Sequence, residues 1–480
     1  MNYGMIRYIV GKMLLIESFL MLFPAFVSLL YREREGGCFL LTAAILILVS
    51  FVISRKPENT VIYAKEGFLI VAMAWILWSL FGALPFLFSG CIPRFEDAFF
   101  EVVSGFTTTG STVLSDIEGM PKCMNFWRCL THWVGGMGVL VFVMAVIPLS
   151  NRNSMFLMRA EIPGPTCDKL VPKARTTARI LYTMYLGLSV AEIIFLLAGG
   201  MNLYEAVIHT FSTAGTGGFS NRNASVAAFN SAYIDGVITV FMLLFGINFN
   251  LYFLLLMKNV KGFFKNEELR NYLGIVAAAI VLITINVMNL YGGVLHAFRY
   301  AAFQVVSVIT TTGFVTANYE LWPEFSKTIL LMLMVVGACA GSTGGGMKVS
   351  RIMILARTIT KETRQILHPK SMNVVKLDGK RLTSEETHGV YVYTICYFAI
   401  LCVSVLLISV DNFDFTTNFT AVLTTLNNVG PGLAKVGPVE NFSAFSCFSK
   451  IILSFDMLVG RLEILPIMML LAPVTWRKKF

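Results

Sequence analysis

The sequence predicts an all-α, polytopic membrane protein in which two N-terminal helices precede four copies of a helix–loop–helix unit. Three observations lead to this prediction. The 480-residue chain is 56% hydrophobic with a mean hydropathy of +0.72, and only 14% of its residues are charged, against about 25% in a soluble domain. Its long apolar runs reach the length of about 20 residues that a helix needs to cross a bilayer. A glycine-bearing, hydroxyl-rich loop recurs four times.

Ten long apolar runs are predicted to be membrane-spanning helices. Two of them lead the chain, and the other eight supply the first helix (M1) and the second helix (M2) of each unit. In chain order, the predicted spans are 6–30, 38–54, 67–89, 126–149, 178–199, 232–257, 271–291, 327–347, 388–410 and 446–473.

A shorter apolar segment lies between M1 and M2 of every unit and ends in the glycine loop. At roughly ten to sixteen residues, these segments are too short to cross a bilayer and return, so we expect half-helices that enter the membrane and stop. They comprise residues 95–106, 203–213, 294–309 and 415–425. The predicted organisation is a leading pair at 1–60 and units one to four at 61–175, 176–266, 267–387 and 388–480.

The basic residues predict the orientation. With the N-terminus inside, the inside segments carry 27 Lys and Arg and the outside segments carry ten, while Arg461 lies within a span. This asymmetry is the positive-inside signature; it places both termini in the cytoplasm and makes the glycine loops enter from the outer face. It also accounts for the net charge of +10 without nucleic acid. The inside segments are 1–12, 55–65, 152–179, 258–270, 348–381 and 477–479.

The four glycine loops contain the most specific chemical signal. Glycine allows the dihedral angles that aim successive carbonyls inward, and a ring of carbonyls can replace the hydration shell of a monovalent cation. Half-helices entering from outside would also direct their partially negative C-terminal ends at such an ion. Six residues before the last loop glycine stands a hydroxyl residue: Ser104, Ser212, Ser307 and Thr424. The candidate cation-binding residues are Thr108, Thr109, Gly110, Thr216, Gly217, Gly218, Thr311, Thr312, Gly313, Asn428, Val429 and Gly430.

A run of small residues interrupts the apolar segment that begins near residue 327. It consists of Gly341, Ser342, Thr343, Gly344, Gly345 and Gly346. Such a run cannot hold a stable helix, and irregular backbone at membrane depth must be buried or line water. A phosphate-binding loop is disfavoured, because Met347 separates Gly346 from Lys348 and no strand precedes the run. A simple kink in the helix stays an alternative.

Two further charged features have more than one interpretation. Arg461 lies in the middle of a span, where a charge is costly and usually functional; a structural ion pair with Asp456 or Glu463 is the alternative. Residues 348–387 are predicted to extend a helix into the cytoplasm, with polar turns near His368 and Asp378. The nine Lys and Arg of 348–381 fit either a linker on the anionic membrane surface or a docking surface for a cytosolic partner.

Together these motifs resemble the Trk/Ktr/HKT superfamily of potassium transporters, and within it the TrkH/TrkG type. The resemblance extends over nearly the whole chain, and the two leading helices look like the extra N-terminal pair of that type. The segments that carry the resemblance are 107–112, 132–138, 212–220, 310–315, 341–348, 427–432 and 460–463.

The resemblance implies potassium uptake across the cytoplasmic (inner) membrane, with four units around a single pore. The implied selectivity filter, which binds K+, contains Gly110, Gly218, Gly313 and Gly430. Sodium-preferring plant relatives have serine at the first of these positions, so Gly110 favours potassium. Residues 341–346 would form an intramembrane gate below the filter, with Arg461 projecting toward the pore. The implied partners are the lipid bilayer, a second copy in a homodimer, and a cytosolic nucleotide-binding regulatory subunit of the TrkA type.

Other functions and sites stay as alternatives. The fourth loop departs from the threonine pattern at Asn428 and Val429, which leaves open a pore that also passes Na+; passive flow and symport with H+ or Na+ both remain. A secondary transporter of organic solutes would show two inverted halves. An enzyme would need clustered acids or histidines in the spans, and no catalytic residue is predicted. No cofactor or zinc spacing is present in the sequence, while Cys123 and Cys129 leave a disulfide open.

Overall fold

The computed structural model describes residues 1–55, 57, 63–138, 174–369 and 374–476, and these residues are mostly helical. Residues 152–173 of the predicted inside segment 152–179, part of the segment 55–65 and the whole segment 477–479 lie outside them. Strands Lys376–Leu377 and Lys380–Arg381 pair antiparallel in a small hairpin, the one β element among the described residues. The all-α fold class predicted from the sequence is therefore confirmed.

The leading pair consists of two spans that pack through small residues. Helices Tyr3–Leu20 and Leu22–Tyr31 follow one another without a reversal of direction, so they form one span. The second span is the helix Gly36–Ile53. The Ser50 hydroxyl donates to the Gly11 carbonyl at 2.7 Å, which requires the close backbone approach that glycine and serine permit between membrane helices.

Six helices among the described residues are long and apolar enough to cross a membrane, and each coincides with a predicted span. Two are the leading pair, and the other four are the M1 helices. Unit by unit, the M1 helices are Ala64–Gly82 (continued by Leu84–Ser89), Ala174–Ala198, Glu267–Val287 and Ser384–Ile408.

The four half-helices are confirmed to within two residues of their predicted ends. They are Phe95–Phe106, Leu203–Gly215, Val294–Ile309 and Phe415–Leu426. Side-chain caps define two of the starts: Asn202 accepts from the N–H of Glu205, and Asp414 accepts from the N–H of Thr417, which satisfies backbone donors that a helix N-terminus leaves unpaired.

The M2 spans are not the continuous helices that the sequence predicts. Their described helices are Lys122–Gly136, Ala232–Phe245, Glu324–Val336 and Cys447–Arg461. In unit two, the chain resumes as Phe249–Leu256 after a bend of 91°, and in unit four it resumes as Leu465–Leu471. Residues 139–149 of the first predicted M2 lie outside the described residues.

Glycines explain where the M2 helices end. Gly135 and Gly460 pass so near the ends of the half-helices of their own units that an added Cβ would lie under 3.0 Å from the carbonyl oxygens of Phe106 and Leu426. The apolar run continues through each bend, so hydropathy alone does not register the break. The remaining described helices are Val260–Lys265, Val349–Leu367 and Pro473–Trp476, with 3-10 turns at Ser225–Phe229, Tyr319–Leu321, Ser409–Asp411 and Ala434–Val436.

The units pack in a closed cyclic order. Each M2 helix contacts the half-helix of its own unit and also the half-helix of the next unit. The M2 helix of unit four contacts the half-helix of unit one, so the cycle closes. This arrangement brings the C-terminal ends of all four half-helices toward one centre.

Candidate functional site: a ring of four glycine loops

All four half-helices end in the same type of turn. The residue two positions before the loop glycine has a left-handed backbone in every loop. The next residue donates its N–H to the carbonyl of the hydroxyl residue noted in the sequence, at 2.8–2.9 Å. These are features of the Schellman motif, which satisfies the last carbonyls of a helix. The four bonds are Thr109 N to Ser104 O, Gly217 N to Ser212 O, Thr312 N to Ser307 O and Val429 N to Thr424 O.

The left-handed positions are occupied by unfavourable residue types. Thr108, Thr216 and Thr311 have φ values of 55°, 56° and 58°, although a β-branched residue in this region is an outlier. Such strain costs about 1–3 kcal/mol per residue and concentrates at functional sites. The loop glycines are left-handed as well, so left-handed and ordinary backbone alternate along each loop and successive carbonyls can face the same side.

The four glycines meet in a ring. An added Cβ at each of them would lie under 3.0 Å from a carbonyl oxygen in the loop of the next unit, so only glycine fits. The glycine-to-oxygen neighbours are Gly110 with Gly217, Gly218 with Thr312, Gly313 with Val429, and Gly430 with Thr109. The order runs from unit one to unit four and back to unit one. A buried ring of backbone oxygens at the ends of four helices can hold a dehydrated cation.

The fourth loop makes the ring depart from four-fold symmetry. In loops one and three, a pair of threonine hydroxyls shares a hydrogen bond of 2.8 Å, Thr107 with Thr109 and Thr310 with Thr312. In loop four, Asn428 instead donates through its amide to the Thr109 hydroxyl at 2.9 Å. Asn428, where the fourth loop departs from the threonine pattern of the others, therefore joins the fourth loop to the first.

The outer segments that follow the glycines are joined from unit to unit. Asp116 takes part in the first junction, where the Asn223 amide and the Gly119 N–H donate to its carboxylate and lower its pKa. One bond from each junction shows the pattern: Ile117 N to Asn223 Oδ1, Ala227 N to Val315 O, Ala434 N to Glu320 Oε2, and Phe442 N to Thr112 O.

The predicted gate residues lie directly against the glycine ring. Gly345 donates its N–H to the Thr311 hydroxyl at 2.6 Å, and an added Cβ at Gly345 would lie under 3.0 Å from the Asn427 carbonyl oxygen. Thr343 donates to the Phe245 carbonyl at 3.2 Å. The segment 341–346 is therefore irregular, buried backbone packed against loops three and four, and not a kinked helix.

Arg461 pairs with backbone carbonyls and not with the acids considered from the sequence. Its guanidinium donates to the Thr343 carbonyl at 2.7 Å and to the carbonyls of Gly135 and Gly136 at 2.6 Å. Arg461 thus ties the gate segment to the end of the first M2 helix. The two acids have other partners: Glu463 binds Arg351, and Asp456 accepts from Ser404.

The sequence patterns did not indicate a functional part for Glu268. It is the second residue of an M1 helix, where acids are common for local reasons, but it is buried. One carboxylate oxygen accepts from the N–H of Ala340 at 2.7 Å and from the N–H of Ser350 at 3.1 Å. A single carboxylate therefore holds both ends of the gate segment, and Lys348 adds a bond to the Gly344 carbonyl.

The inner segment after the gate is the predicted helical extension. Helix Val349–Leu367 leads toward the hairpin, whose turn lies at the predicted Asp378. Asp378 accepts from the N–H of Glu267 at 2.7 Å, and Arg357 pairs with Glu267 at 2.7 Å. Arg357 is therefore bound within its own chain, and the hairpin rests on the start of the M1 helix that carries Glu268.

Two cysteines and two histidines of the chain take part in packing and hydrogen bonds rather than in a chemical site. Cys123 and Cys129 are both free thiols and buried, so no disulfide joins them. His132 bonds to the Gly105 carbonyl at 2.7 Å, and His209 bonds to the Glu205 carbonyl at 2.8 Å. Within the described residues, no group of His, Cys, Asp and Glu is suited to a metal ion.

Comparisons with known proteins agree along the full length of the chain. A family model named TrkH and described as a cation transport protein matches residues 38–478. The chain is 37% identical to the Trk system potassium uptake protein TrkH of Salmonella typhimurium, with 100% of both chains covered. It is 32% identical to the Trk system potassium uptake protein TrkG of Escherichia coli, with 98% of both covered.

A solved structure is similar to this chain as well. The crystal structure of the potassium transporter TrkH from Vibrio parahaemolyticus matches with a TM-score of 0.90 at 33% sequence identity. The match covers 99% of this chain and 100% of that one.

Proposed function

Because this chain belongs to the TrkH family of cation transport proteins, we propose that it takes up potassium ions across the membrane that it spans several times. It is a transport protein and not an enzyme, and potassium is its cargo and not a cofactor. The observation that carries the proposal is the closed ring of four glycine loops, in which each glycine adjoins a carbonyl oxygen of the next unit.

The selectivity filter is proposed to consist of the four loops. Support comes from the repeated left-handed backbone at the glycine and two residues before it, a conformation that can direct several carbonyls toward one ion. Gly110 at the first position favours potassium over sodium. The four units at 61–175, 176–266, 267–387 and 388–480 would each contribute one quarter of this single pore.

The gate is proposed to be the segment 341–346 together with Arg461. Support comes from its contacts with the loops of units three and four and from the bonds of Arg461 to this segment and to the first M2 helix. Small residues without helical hydrogen bonds can change conformation at little cost, and a short displacement would uncover the inner side of the ring.

The proposal also covers the membrane, the orientation, the oligomeric state and the partner of the protein. The excess of basic residues in inside segments supports cytoplasmic termini, and the family supports the inner membrane, a homodimer and a cytosolic TrkA-type regulatory subunit. This chain has no nucleotide-binding fingerprint of its own, so nucleotide sensing would belong to that partner.

Growth of a bacterial host that lacks potassium uptake tests the function. Expression of the chain should restore growth at low K+, and a large excess of Na+ should leave growth unchanged. Failure to restore growth, with the protein shown to be in the membrane, would contradict the proposal. Growth that Na+ inhibits would favour the second candidate, a pore that also admits sodium, for which the departure of loop four at Val429 is the supporting observation.

A further inference from the structure

Each half-helix carries a buried polar side chain at nearly the same distance in sequence before its loop glycine. Three of these side chains stand nine residues before the loop glycine, and the fourth stands ten residues before it. We name them the brace residues: Glu101, His209, Gln304 and Thr420. All four are buried, with at most 1% exposure. No sequence motif joins them, because an acid, an imidazole, an amide and a hydroxyl occupy the shared position.

Each brace residue bonds to the chain two to four residues after the loop glycine of its own unit. His209 bonds through Nε2 to the Ser220 hydroxyl at 2.9 Å. Gln304, with its amide oriented so that both polar atoms are satisfied, accepts from the N–H of Thr316 at 2.8 Å. Thr420 accepts from the N–H of Leu433 at 3.2 Å. The braces therefore connect the outgoing chain of each loop to the half-helix that enters it.

The brace of unit one is the one that carries charge. Glu101 accepts from the Thr112 hydroxyl at 2.9 Å and from the N–H of Val113 at 3.0 Å. Arg128, on the M2 helix, donates to the same carboxylate at 2.9 Å and 2.7 Å. The side chains of Glu101 and Arg128 are 0% and 1% exposed, so solvent does not screen this pair and charge-assisted bonds hold the outgoing chain.

The ion pair also reaches the neighbouring units. Arg128 donates to the Asn125 side chain at 3.0 Å and to the Ser220 carbonyl of unit two at 3.4 Å, and its guanidinium lies 4.1 Å from the centre of the Phe219 ring. On the other side, Ser111 donates to the carbonyl of Gly430 in unit four at 3.2 Å. Residues 111–113 are thus held between units two and four.

A buried ion pair is weak evidence for stability, because desolvation of both charges offsets most of their attraction. What such a pair can provide is a fixed position for the atoms it binds. Here those atoms lie two and three residues after Gly110, and one neighbouring bond, from Ser111, ends on the carbonyl of the loop glycine Gly430. A ring that discriminates by the spacing of its oxygens is sensitive to small displacements of this kind.

We propose that Glu101 and Arg128 are positioning residues for ion selection, whose ion pair fixes the outgoing chain of the first loop and thereby the spacing of the carbonyl ring. This inference rests on the proposed function and deepens it. The other three braces perform the same task with neutral groups. Loss of charge at unit one should therefore relax the discrimination between K+ and Na+ more than it reduces total flux.

The test compares Glu101→Gln with Asp97→Asn in the full-length chain, purified and reconstituted in liposomes. Asp97 lies in the first turn of the same half-helix and pairs with Lys450 of unit four at 2.5 Å. Among the residues that the structure describes, it forms no hydrogen bond with residues 111–113. Flux is measured under K+ and Na+ gradients. Glu101→Gln should lower the K+/Na+ permeability ratio by about tenfold, the size expected when a charged hydrogen bond is lost, whereas Asp97→Asn should leave the ratio within about twofold, because the Asp97–Lys450 pair does not hold the chain that follows Gly110.

A second variant serves as a control in case Glu101→Gln misfolds. Thr112→Val removes one donor to Glu101 and leaves the ion pair in place, so it should lower the ratio in the same direction by a smaller factor. A permeability ratio equal to that of the parent in both variants would overturn the inference, as would a loss of flux at constant ratio. A parent chain without K+-selective flux would instead contradict the proposed function itself.

Discussion

Three threonines with left-handed backbone lie two residues before loop glycines at which an added Cβ would clash with the next loop. Thr108, Thr216 and Thr311 carry strain that an isolated chain would release by changing conformation. It persists because the N–H groups on either side of the turn are bound to the preceding half-helix and because neighbouring loops leave no free volume around the glycines. At the scale of single residues, these contacts therefore fix the backbone of the ring.

Gly110→Ser should let sodium permeate. Its new Cβ would lie under 3.0 Å from the Gly217 carbonyl oxygen, so the ring must widen at one quarter of its circumference. The K+/Na+ permeability ratio in liposomes measures this effect. Gly90→Ser is the matched control, since Gly90 is also left-handed at φ 72° but has no atom within 4 Å of an added Cβ. Equal ratios in both variants would place Gly110 outside the filter.

The gate segment, residues 341–346, is held in place by a different kind of contact from the elements around it. Loops and half-helices are bound mainly through their own backbone. In the segment 341–346, two backbone bonds are supplemented by bonds to side chains from distant parts of the chain. Glu268 holds its flanks, Arg461 holds its middle, and Thr311 holds the N–H of Gly345. Elements held this way open at lower cost than regular secondary structure.

Deletion of residues 344–346 should raise flux, because two of the removed glycines, Gly344 and Gly345, contact loops three and four. The measurement is the rate of K+ flux through the reconstituted chain in the absence of a regulator. Gly389→Ala is a suitable control, since an added Cβ there has open space and flux should not change. An unaltered rate after the deletion would make the segment a passive part of the wall.

Glu268→Ala should also favour the open gate. It removes two backbone hydrogen bonds to a charged group, each worth about 1.5–3 kcal/mol, so the closed segment loses its connection to M1 at both ends. We expect K+ flux without a regulator to rise by about tenfold or more, in step with that loss. Parallel measurement of Glu324→Gln, which alters an exposed acid at the start of the M2 helix of the same unit, separates this effect from the loss of one negative charge in unit three. The prediction fails if the Glu268 variant conducts like the parent.

Within the part of the chain that the structure describes, unit three links the glycine ring to the helix Val349–Leu367 and to the hairpin beyond it. The gate continues into helix Val349–Leu367, and the hairpin turn at Asp378 binds the first residues of the M1 helix that carries Glu268. Arg357 joins this helix to Glu267. A partner that displaces the hairpin could therefore shift the gate between two states by differential binding.

Changing Arg357, Lys361 and Arg364 together to glutamine should weaken binding of a cytosolic regulatory subunit and blunt its control of flux. Electrostatic association with an acidic partner would also lose part of its salt dependence. Binding is measured between the purified full-length chain and the regulator at several salt concentrations. The double variant Lys361→Gln with Arg364→Gln keeps the Arg357 contacts, so it separates a docking surface from internal coupling. Unchanged binding and regulation in the triple variant would make the segment a membrane-surface linker.

Local patterns in the sequence determined the class of the protein, the M1 spans, the half-helices and the register of the glycine loops. These features depend on hydropathy and on spacing within about a dozen residues, and a single chain displays both. The hydroxyl six residues before each glycine is an example, because Thr109 and Ser104 are joined within one helix turn. The identity of the ring residues could be predicted for the same reason.

Only the tertiary structure decided the breaks in M2, the partners of Arg461, the role of Glu268 and the braces behind the loops. The breaks come from close approach to other elements, which an uninterrupted apolar run conceals. The contacts join residues far apart in the chain, such as Asn428 and Thr109 at a separation of 319 or Arg461 and Gly135 at 326. A buried charge is tolerated only where specific partners meet it, and which partners meet is a property of the closed cycle of four units.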